Sequence, residues 1–172
     1  MKKLVIIFSV FLGLATGISA QDMNKKVFDE KSQTDILVGN CTREGLLGVE
    51  FANSYNEEYP AYNPNGDVII ALKEKVKGVK CVIVLGTWCG DSKEQVPRFL
   101  KIDDLLGNLF EELKIISVDR NKEAPEMNIK EKYLIEKVPT FIFYRGDTEI
   151  GRITETPKES LEKDLLEILK AK

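Results

Sequence analysis

The sequence predicts an α/β fold in which a central mixed sheet is flanked by helices. The first observation behind this prediction is a βαβ pattern: two apolar runs, 80–86 and 113–118, flank a helical stripe of apolar residues over 93–110. An apolar run without alternation is typical of a strand buried on both faces. Because a helix connects the two strands, we expect them to be parallel. Pro97 removes one hydrogen bond from that helix, so we expect a kink there.

The second observation is a ββα pattern near the C-terminus. We expect strands over 140–144 and 148–153, because the short segment between them contains the Gly-Asp pair of a tight hairpin turn. Residues 156–159 read Thr-Pro-Lys-Glu, a capping box with proline at the first helical position, which predicts that the last helix begins there. A loop and a short helix are expected over 121–132, between the βαβ unit and the hairpin.

Upstream of the βαβ unit, the sequence predicts an extension with one helix. Residues 21–35 are polar and lack periodicity, so we expect a loose segment. Apolar residues fall near helical spacing over 43–59, and Asp67 is positioned to cap a second helix. The predicted domain organisation is a signal peptide over 1–20, an N-terminal extension over 21–66 and an α/β domain over 67–172.

The first twenty residues have the layout of a secretory signal peptide. Lys2 and Lys3 precede an apolar run over 4–14, and small residues lead to Ala20. The run is shorter than the roughly twenty residues needed to span a bilayer. We therefore expect cleavage between Ala20 and Gln21, which leaves no stable membrane span. The predicted location is the periplasm or the exterior of the cell, where disulfides persist.

The composition excludes several classes of function. The chain has 172 residues, with 25 basic and 28 acidic side chains and a formal net charge of -3, so nucleic acid is not an expected partner. It contains no histidine, which excludes a Ser-His-Asp triad, an internal Cys-His pair and a histidine zinc site. Three cysteines are too few for a four-thiolate metal site. We expect neither a metal nor another cofactor.

The residues suited to covalent chemistry lie in the segment Trp88-Cys89-Gly90-Asp91-Ser92, directly after the first predicted central strand. Cys89 stands where the following helix begins, and the unpaired N–H groups of a helix N-terminus favour a thiolate over a thiol. Such a thiolate can attack a disulfide in a partner protein. Trp88 and Gly90 suit an open rim around the sulfur, and Asp91 is expected to be solvated near the helix dipole.

This segment, together with Pro97 eight positions after Cys89 and with Val138-Pro139-Thr140, resembles the thioredoxin family over roughly residues 68–170. The more detailed resemblance is to secreted bacterial thioredoxin-like proteins with a Trp-Cys-Gly-Asp-Ser site and an N-terminal helical extension. The resemblance implies the thioredoxin fold, with Cys89 as the attacking thiol. It also implies a cis-proline loop at Pro139 that pairs with the extended backbone of a substrate. An ordinary proline at a strand edge is the alternative interpretation of Pro139. The implied substrate-binding residues are Trp88, Gly90, Asp91, Val138, Pro139 and Thr140.

The sequence departs from the family motif Trp-Cys-Gly-Pro-Cys at three positions. Ser92 replaces the second cysteine, and a hydroxyl cannot resolve a mixed disulfide as a thiol does. We expect Ser92 to donate a hydrogen bond to the sulfur of Cys89 and so assist catalysis. Ile83 stands where the family has a buried acid, and Ile115 corresponds to the lysine that faces it. An apolar pair costs less there than a buried charge, so all three differences indicate that the two-cysteine cycle has been abandoned.

Three hypotheses for function follow from these residues. The first is thiol–disulfide exchange on exported proteins through Cys89 alone. It would reduce or isomerise substrate disulfides through a mixed disulfide that an external thiol reductant resolves. The second is a non-catalytic thioredoxin-like module that binds peptides or proteins. The third is a two-cysteine oxidoreductase in which Cys41 is the resolving thiol. Cys81 lies within a predicted buried strand, more than 15 Å from the turn at about 3.3 Å per residue, and is expected to be a core residue.

Overall fold

The computed structural model describes residues 23–125 and 127–170, so the predicted signal peptide lies outside the described residues. The described part has seven strands and six helices. In chain order they are β1 (Lys26–Asp29), β2 (Thr34–Leu37), β3 (Gly39–Cys41), α1 (Arg43–Leu46), α2 (Phe51–Ala61), α3 (Gly66–Lys75), β4 (Val79–Leu85), α4 (Gly90–Leu106), β5 (Glu112–Ser117), α5 (Ile129–Tyr133), β6 (Thr140–Arg145), β7 (Thr148–Thr154) and α6 (Leu161–Lys170).

The central sheet has five strands in the order β3-β5-β4-β6-β7. Strands β4 and β5 are parallel, as the βαβ pattern predicted, whereas β3, β6 and β7 each pair antiparallel to a neighbour. Ile83 and Ile115 are opposite one another in the parallel pair, so the two apolar replacements predicted from the resemblance do meet. The sheet is mixed and flanked by helices, which confirms the predicted fold class.

The two faces of β4 supply two separate cores. Because side chains alternate along a strand, Cys81, Ile83 and Leu85 face one layer, which contains Phe99 of α4 and is completed by α2, α3 and α6. Val82 and Val84 face the other layer, which includes side chains of α5. All residues of β4 except Lys80 are buried. The prediction of a strand covered on both faces is therefore confirmed.

The extension differs from the predicted loose segment with one helix. Strands β1 and β2 form a separate antiparallel hairpin, and β3 joins the central sheet beside β5. The predicted helix over 43–59 is two helices, α1 and α2. These strands have three or four residues each, and three of the four residues of β1 are exposed, so their sequence carries too little apolar alternation to reveal them.

The helix boundaries correct two predicted caps. Helix α3 is capped by Asn65, whose Oδ1 accepts a hydrogen bond from the Val68 N–H at 3.1 Å, so the predicted cap at Asp67 is wrong. Helix α6 begins at Leu161, so the predicted start within 156–159 is also wrong. The backbone N–H groups of Lys158 and Glu159 donate instead to the carboxylate of Asp164 at 2.6 and 3.2 Å. Helix α4 continues through Pro97 to Leu106.

The cap of α6 gives a first testable prediction. Ser160 Oγ accepts from the Lys163 N–H at 3.4 Å, in the position of an N-cap side chain. We expect Ser160→Ala to lower the free energy of unfolding by about 1 kcal/mol, because a free N–H is left in the first turn. Thr156→Ala should cost under about 0.5 kcal/mol. Urea unfolding measures both, and a larger loss for Thr156→Ala would contradict the observed cap.

Candidate active site

Cys89 occupies the N-cap position of α4, the helix that follows the central strand β4. Its backbone is extended, with φ -88° and ψ 130°, and its N–H donates to the Gly86 carbonyl at 2.9 Å to close a tight turn. The side chain is half-buried. The sulfur therefore lies at the N-terminus of a seventeen-residue helix, where unpaired N–H groups and the helix dipole favour negative charge.

The loop around Pro139 lies against this sulfur. The Val138–Pro139 peptide bond is cis, and Cys89 Sγ donates a hydrogen bond to the Val138 carbonyl at 3.3 Å. The structure thus brings together the cysteine turn and the cis-proline loop, two segments about fifty residues apart. A thiol can donate this bond and a thiolate cannot. Cys89 Sγ and the carbonyl that precedes cis-Pro139 are thus in direct contact.

Among the described residues, the hydrogen bonds of Ser92 do not include the predicted donation to the sulfur of Cys89. Its side chain is fully buried, and its Oγ accepts a hydrogen bond from the Gly86 N–H at 3.2 Å. The first turn of α4 directs this side chain inward, towards the backbone just beyond the end of β4. A buried N–H without a partner is costly. Ser92 therefore fixes the strand–turn–helix connection that carries Cys89.

The remaining predicted substrate-binding residues divide by exposure. Gly90 is exposed and Asp91 is half-buried, whereas Val138, Pro139 and Thr140 are buried. Thr140 Oγ1 donates to the Lys137 carbonyl at 2.7 Å, so it shapes the loop rather than facing a ligand. The Pro139 carbonyl accepts a hydrogen bond from the Glu155 N–H at 2.7 Å, so the residue that follows β7 also holds this loop.

A pair of charged residues lies close to the site. Lys137 forms an ion pair with Glu155 at 2.5 Å. That contact, and to a smaller degree the charge of Asp91, raises the pKa of Lys137 above its usual range. Lys137 directly precedes Val138 and Asp91 lies in the first turn of α4, so the two segments that meet at Cys89 carry charges of opposite sign.

Three contacts fix the indole ring of Trp88: one at its nitrogen, one with a guanidinium and one with the backbone of Gly86. Nε1 donates to the Val118 carbonyl at 2.9 Å, and the guanidinium of Arg120 lies 4.9 Å from the ring centroid. On the backbone side, a Cβ at Gly86 would come within 2.7–3.0 Å of the indole ring, so only glycine allows this approach. The predicted docking residue therefore has a fixed orientation.

The hairpin of the extension reaches the site through Asp29. Both Asp29 oxygens accept hydrogen bonds from Arg120, at distances of 2.6–3.0 Å. These bonds hold the pKa of Asp29 well below its usual range. Nothing in the sequence pointed to Asp29 or Arg120, because they are 91 positions apart and lie in polar segments without periodicity. A hydrogen bond from the Leu37 N–H to Thr87 Oγ1 at 3.1 Å joins the extension to the same turn.

Cys41 lies in a different element, β3, and in a different core layer from Cys89. It pairs with Ile115, which pairs with Ile83 of β4, so Cys41 lies two strands, roughly 10 Å, from β4. It is 5% exposed within the core layer that contains Phe99, whereas Cys89 packs against the opposite layer. Burial raises the pKa of the Cys41 thiol to about 11. The limit for a disulfide is about 7 Å between Cα atoms, and both thiols are free, so this arrangement does not favour Cys41 as the resolving thiol.

Cys81 and the acidic side chains of the described residues add no second reactive thiol and no metal site. Cys81 is fully buried, as predicted, and burial raises the pKa of its thiol well above the usual range. Within residues 23–125 and 127–170, no group of three or more Cys, Asp or Glu side chains is arranged to hold a metal ion. No helix in those ranges combines the length and the apolar character needed to cross a membrane.

The comparisons with known proteins agree with this geometry. A family model described as Thioredoxin matches residues 50–167, which is more than half of the chain. Thioredoxin H2-1 of Oryza sativa subsp. japonica is 30% identical over 79 residues, which cover 46% of this chain and 52% of that protein. Thioredoxin-like protein R548 of Acanthamoeba polyphaga mimivirus is 26% identical over 101 residues, covering 59% and 70%. The chain thus spans about half the length of the rice relative.

A solved structure gives the same result at the level of the fold. A Pseudomonas aeruginosa protein of unknown function aligns with a TM-score of 0.51 and 13% identity, covering 70% of this chain and 82% of that one. At this identity the likeness concerns the fold alone. The family match over residues 50–167 includes both the cysteine turn and the cis-proline loop, as well as helix α5, which lies between them in the sequence. The chain therefore belongs to the thioredoxin family.

Proposed function

We propose that this protein carries out thiol–disulfide exchange through one nucleophilic thiol, that of Cys89. The observation that carries the proposal is the half-buried sulfur of Cys89 at a helix N-terminus, 3.3 Å from the carbonyl that precedes cis-Pro139. A helix N-terminus favours the thiolate that attacks a disulfide. The adjacent Val138 carbonyl is a backbone acceptor for an extended substrate strand. Family membership supports redox chemistry or binding at this site.

The proposed reaction has two steps. The Cys89 thiolate attacks one sulfur of a substrate disulfide, the substrate S–S bond breaks, and a new S–S bond joins Cys89 to the substrate. The other substrate sulfur leaves as a thiolate and takes up a proton. An external thiol then attacks the substrate sulfur of the mixed disulfide, Cys89 leaves as its thiolate, and a new S–S bond joins the external thiol to the substrate. A second external thiol attacks that disulfide, which frees the reduced substrate and forms a disulfide between the two external thiols, a net two-electron reduction. Attack on the mixed disulfide by a substrate thiol instead gives isomerisation without net electron transfer.

A single-thiol cycle is consistent with the surroundings of Cys89. Among the described residues, the two other cysteines are both buried in the opposite core layer, and Ser92 stands where the family motif has its second cysteine. Ile83 and Ile115 provide no acid or base beneath the turn. These surroundings support an external resolving thiol.

A peptide that contains one disulfide tests this function. We expect the purified protein to form a one-to-one adduct on Cys89, detected by mass spectrometry after acid quenching. Cys89→Ser should reduce adduct formation to background, while Cys41→Ala serves as the matched control and retains the wild-type rate. Glutathione should then release the peptide over repeated turnovers. An adduct that glutathione does not release would favour the binding module, and adduct formation in Cys89→Ser would contradict the proposal.

Export is part of the proposal and rests on the layout of residues 1–20. The partners would then be exported proteins with disulfides or free thiols, in the periplasm or outside the cell. N-terminal sequencing of the protein from its native cell should give Gln21 as the first residue. Detection of the intact N-terminus in the cytosol would contradict this location.

A further inference from the structure

The hairpin β1–β2 places a rigid ion pair beside the active-site tryptophan. Arg120 binds Asp29 through Nε and Nη2, and the Asp29 side chain is 10% exposed. Asp29 also accepts hydrogen bonds from the backbone N–H and the hydroxyl of Ser32. A bidentate guanidinium–carboxylate pair fixes orientation as well as distance. Each end of this pair is therefore constrained, and the plane of the Arg120 guanidinium has one preferred direction.

The Arg120 guanidinium lies over the ring of Trp88. The guanidinium carbon lies 4.9 Å from the ring centroid, within the range of a cation–π contact. The backbone of Gly86 lies close to the indole, and the Val118 carbonyl accepts from Nε1. Three independent contacts thus determine where the indole lies, and one of them depends on the hairpin.

We propose that Asp29 and Arg120 are positioning residues for the exchange reaction. Asp29 holds Arg120, Arg120 holds the indole of Trp88, and the surface beside Cys89 is thereby pre-organised for a disulfide-bearing polypeptide. Pre-organisation lowers the cost of ordering the docking surface when a substrate binds. The inference rests on the proposed function, and it assigns the hairpin a role in that function rather than in folding alone.

Tryptophan fluorescence tests whether Asp29 and Arg120 hold the indole, because Trp88 is the one tryptophan of the chain. We expect Arg120→Met and Asp29→Asn to shift the Trp88 emission maximum and lower its fluorescence anisotropy, since the indole loses one of its three contacts. Arg120→Lys keeps the charge but has no planar group to stack, so it should change the fluorescence in the same direction. Glu30→Gln removes a charge from an exposed neighbour of Asp29 and is the matched control, with unchanged fluorescence.

The effect of the indole on the exchange reaction is tested by comparing how two reagents react with the Cys89 thiol. The rate of mixed-disulfide formation with a peptide disulfide, divided by the rate of alkylation with iodoacetamide, isolates the contribution of the docking surface. We expect this ratio to fall about 3- to 10-fold in Arg120→Lys, Arg120→Met and Asp29→Asn, in line with the usual strength of a cation–π contact. The ratio for Glu30→Gln should equal that of the wild type. Thermal melts identify any variant that fails to fold, and Arg120→Lys is the variant least affected by that problem.

The outcomes separate this inference from the proposed function. A change in fluorescence without a change in the rate ratio would show that the pair only tethers the hairpin, which overturns the inference. An equal fall of the rate ratio in Glu30→Gln would also overturn the inference, because the effect would then come from any loss of negative charge in the hairpin rather than from the ion pair. If the wild type forms no adduct with any disulfide, the proposed function fails. In that case unchanged fluorescence in Arg120→Lys would also remove the structural basis of the inference.

Discussion

Replacing Ser92 with cysteine is expected to shorten the lifetime of the mixed disulfide at Cys89 by at least about 10³-fold, because release becomes intramolecular. Cys89 and residue 92 belong to the N-cap and first turn of α4. Residues three apart on a helix have Cβ atoms about 5–6 Å apart, close enough for a disulfide after small adjustments. The product should be a protein with an internal disulfide between positions 89 and 92 and a freed substrate thiol.

The structure also predicts the cost of this change. Ser92 Oγ accepts from the Gly86 N–H, and sulfur is a weaker acceptor and a larger atom in a fully buried position. We expect Ser92→Cys to lower the free energy of unfolding by about 1–2 kcal/mol. Ser92→Ala is the control, with a similar loss of stability but no faster release of the substrate. Acid quenching at successive times and mass spectrometry follow the adduct. If the Ser92→Cys adduct persists as long as that of the wild type, the thiols at positions 89 and 92 do not approach closely enough to form a disulfide.

The central part of the fold could be predicted because each of its elements carries a strong local pattern. The β-branched run over 80–86 and the helical stripe that follows it are long and apolar, so their types are unambiguous. The site could be predicted for a different reason. The motif from Trp88 to Ser92 and the proline at 139 are short, but the resemblance indicates that they face one another, and the contact between Cys89 and Val138 agrees with this.

The extension could not be predicted by the same reasoning. Asp29 and Arg120 are each ordinary surface residues in the sequence, and their importance comes from a contact across 91 positions. The hairpin strands are short and mostly exposed, so they have no apolar period. The predicted start of α6 was wrong for another reason. The Thr-Pro-Lys-Glu pattern has the residue types of a helix start at each position. The carboxylate of Asp164 nevertheless binds the N–H groups of Lys158 and Glu159, and the helix begins later.

A second group of charges lies far from Cys89 and affects stability instead. Arg43 forms ion pairs with Asp103 at 2.7 Å and with Asp104 at 2.6 Å, and Tyr59 donates to Asp104 at 2.5 Å. Asp103 is 2% exposed, and among the described residues its Oδ1 has no hydrogen-bond partner. Burial raises the pKa of Asp103 above its usual range, more than the attraction of Arg43 lowers it. The charge of Asp103 is therefore only partly compensated.

Arg43→Met is expected to lower the free energy of unfolding by about 3–5 kcal/mol at neutral pH, because it leaves the Asp103 carboxylate buried without its partner. A carboxyl whose pKa is raised by folding contributes stability that is present below its unfolded pKa and is lost as pH rises through its folded pKa. The penalty of Arg43→Met should therefore shrink as pH falls and Asp103 becomes protonated. Urea unfolding of both proteins at a series of pH values measures this difference.

Two further variants distinguish a buried charge from lost packing of the Arg43 side chain. In Arg43→Met/Asp103→Asn the carboxylate is absent, so most of the stability at neutral pH should return and the difference from the wild type should depend less on pH. Lys73→Met removes an exposed cation from α3 and should change the free energy of unfolding by less than about 0.5 kcal/mol. If the double variant remained as unstable as Arg43→Met, the loss would come from the aliphatic part of Arg43, since packing does not depend on the charge of its neighbour. Recovery in the double variant together with a pH-dependent penalty in Arg43→Met therefore identifies the buried charge as the cause, whereas a pH-independent loss in both identifies packing.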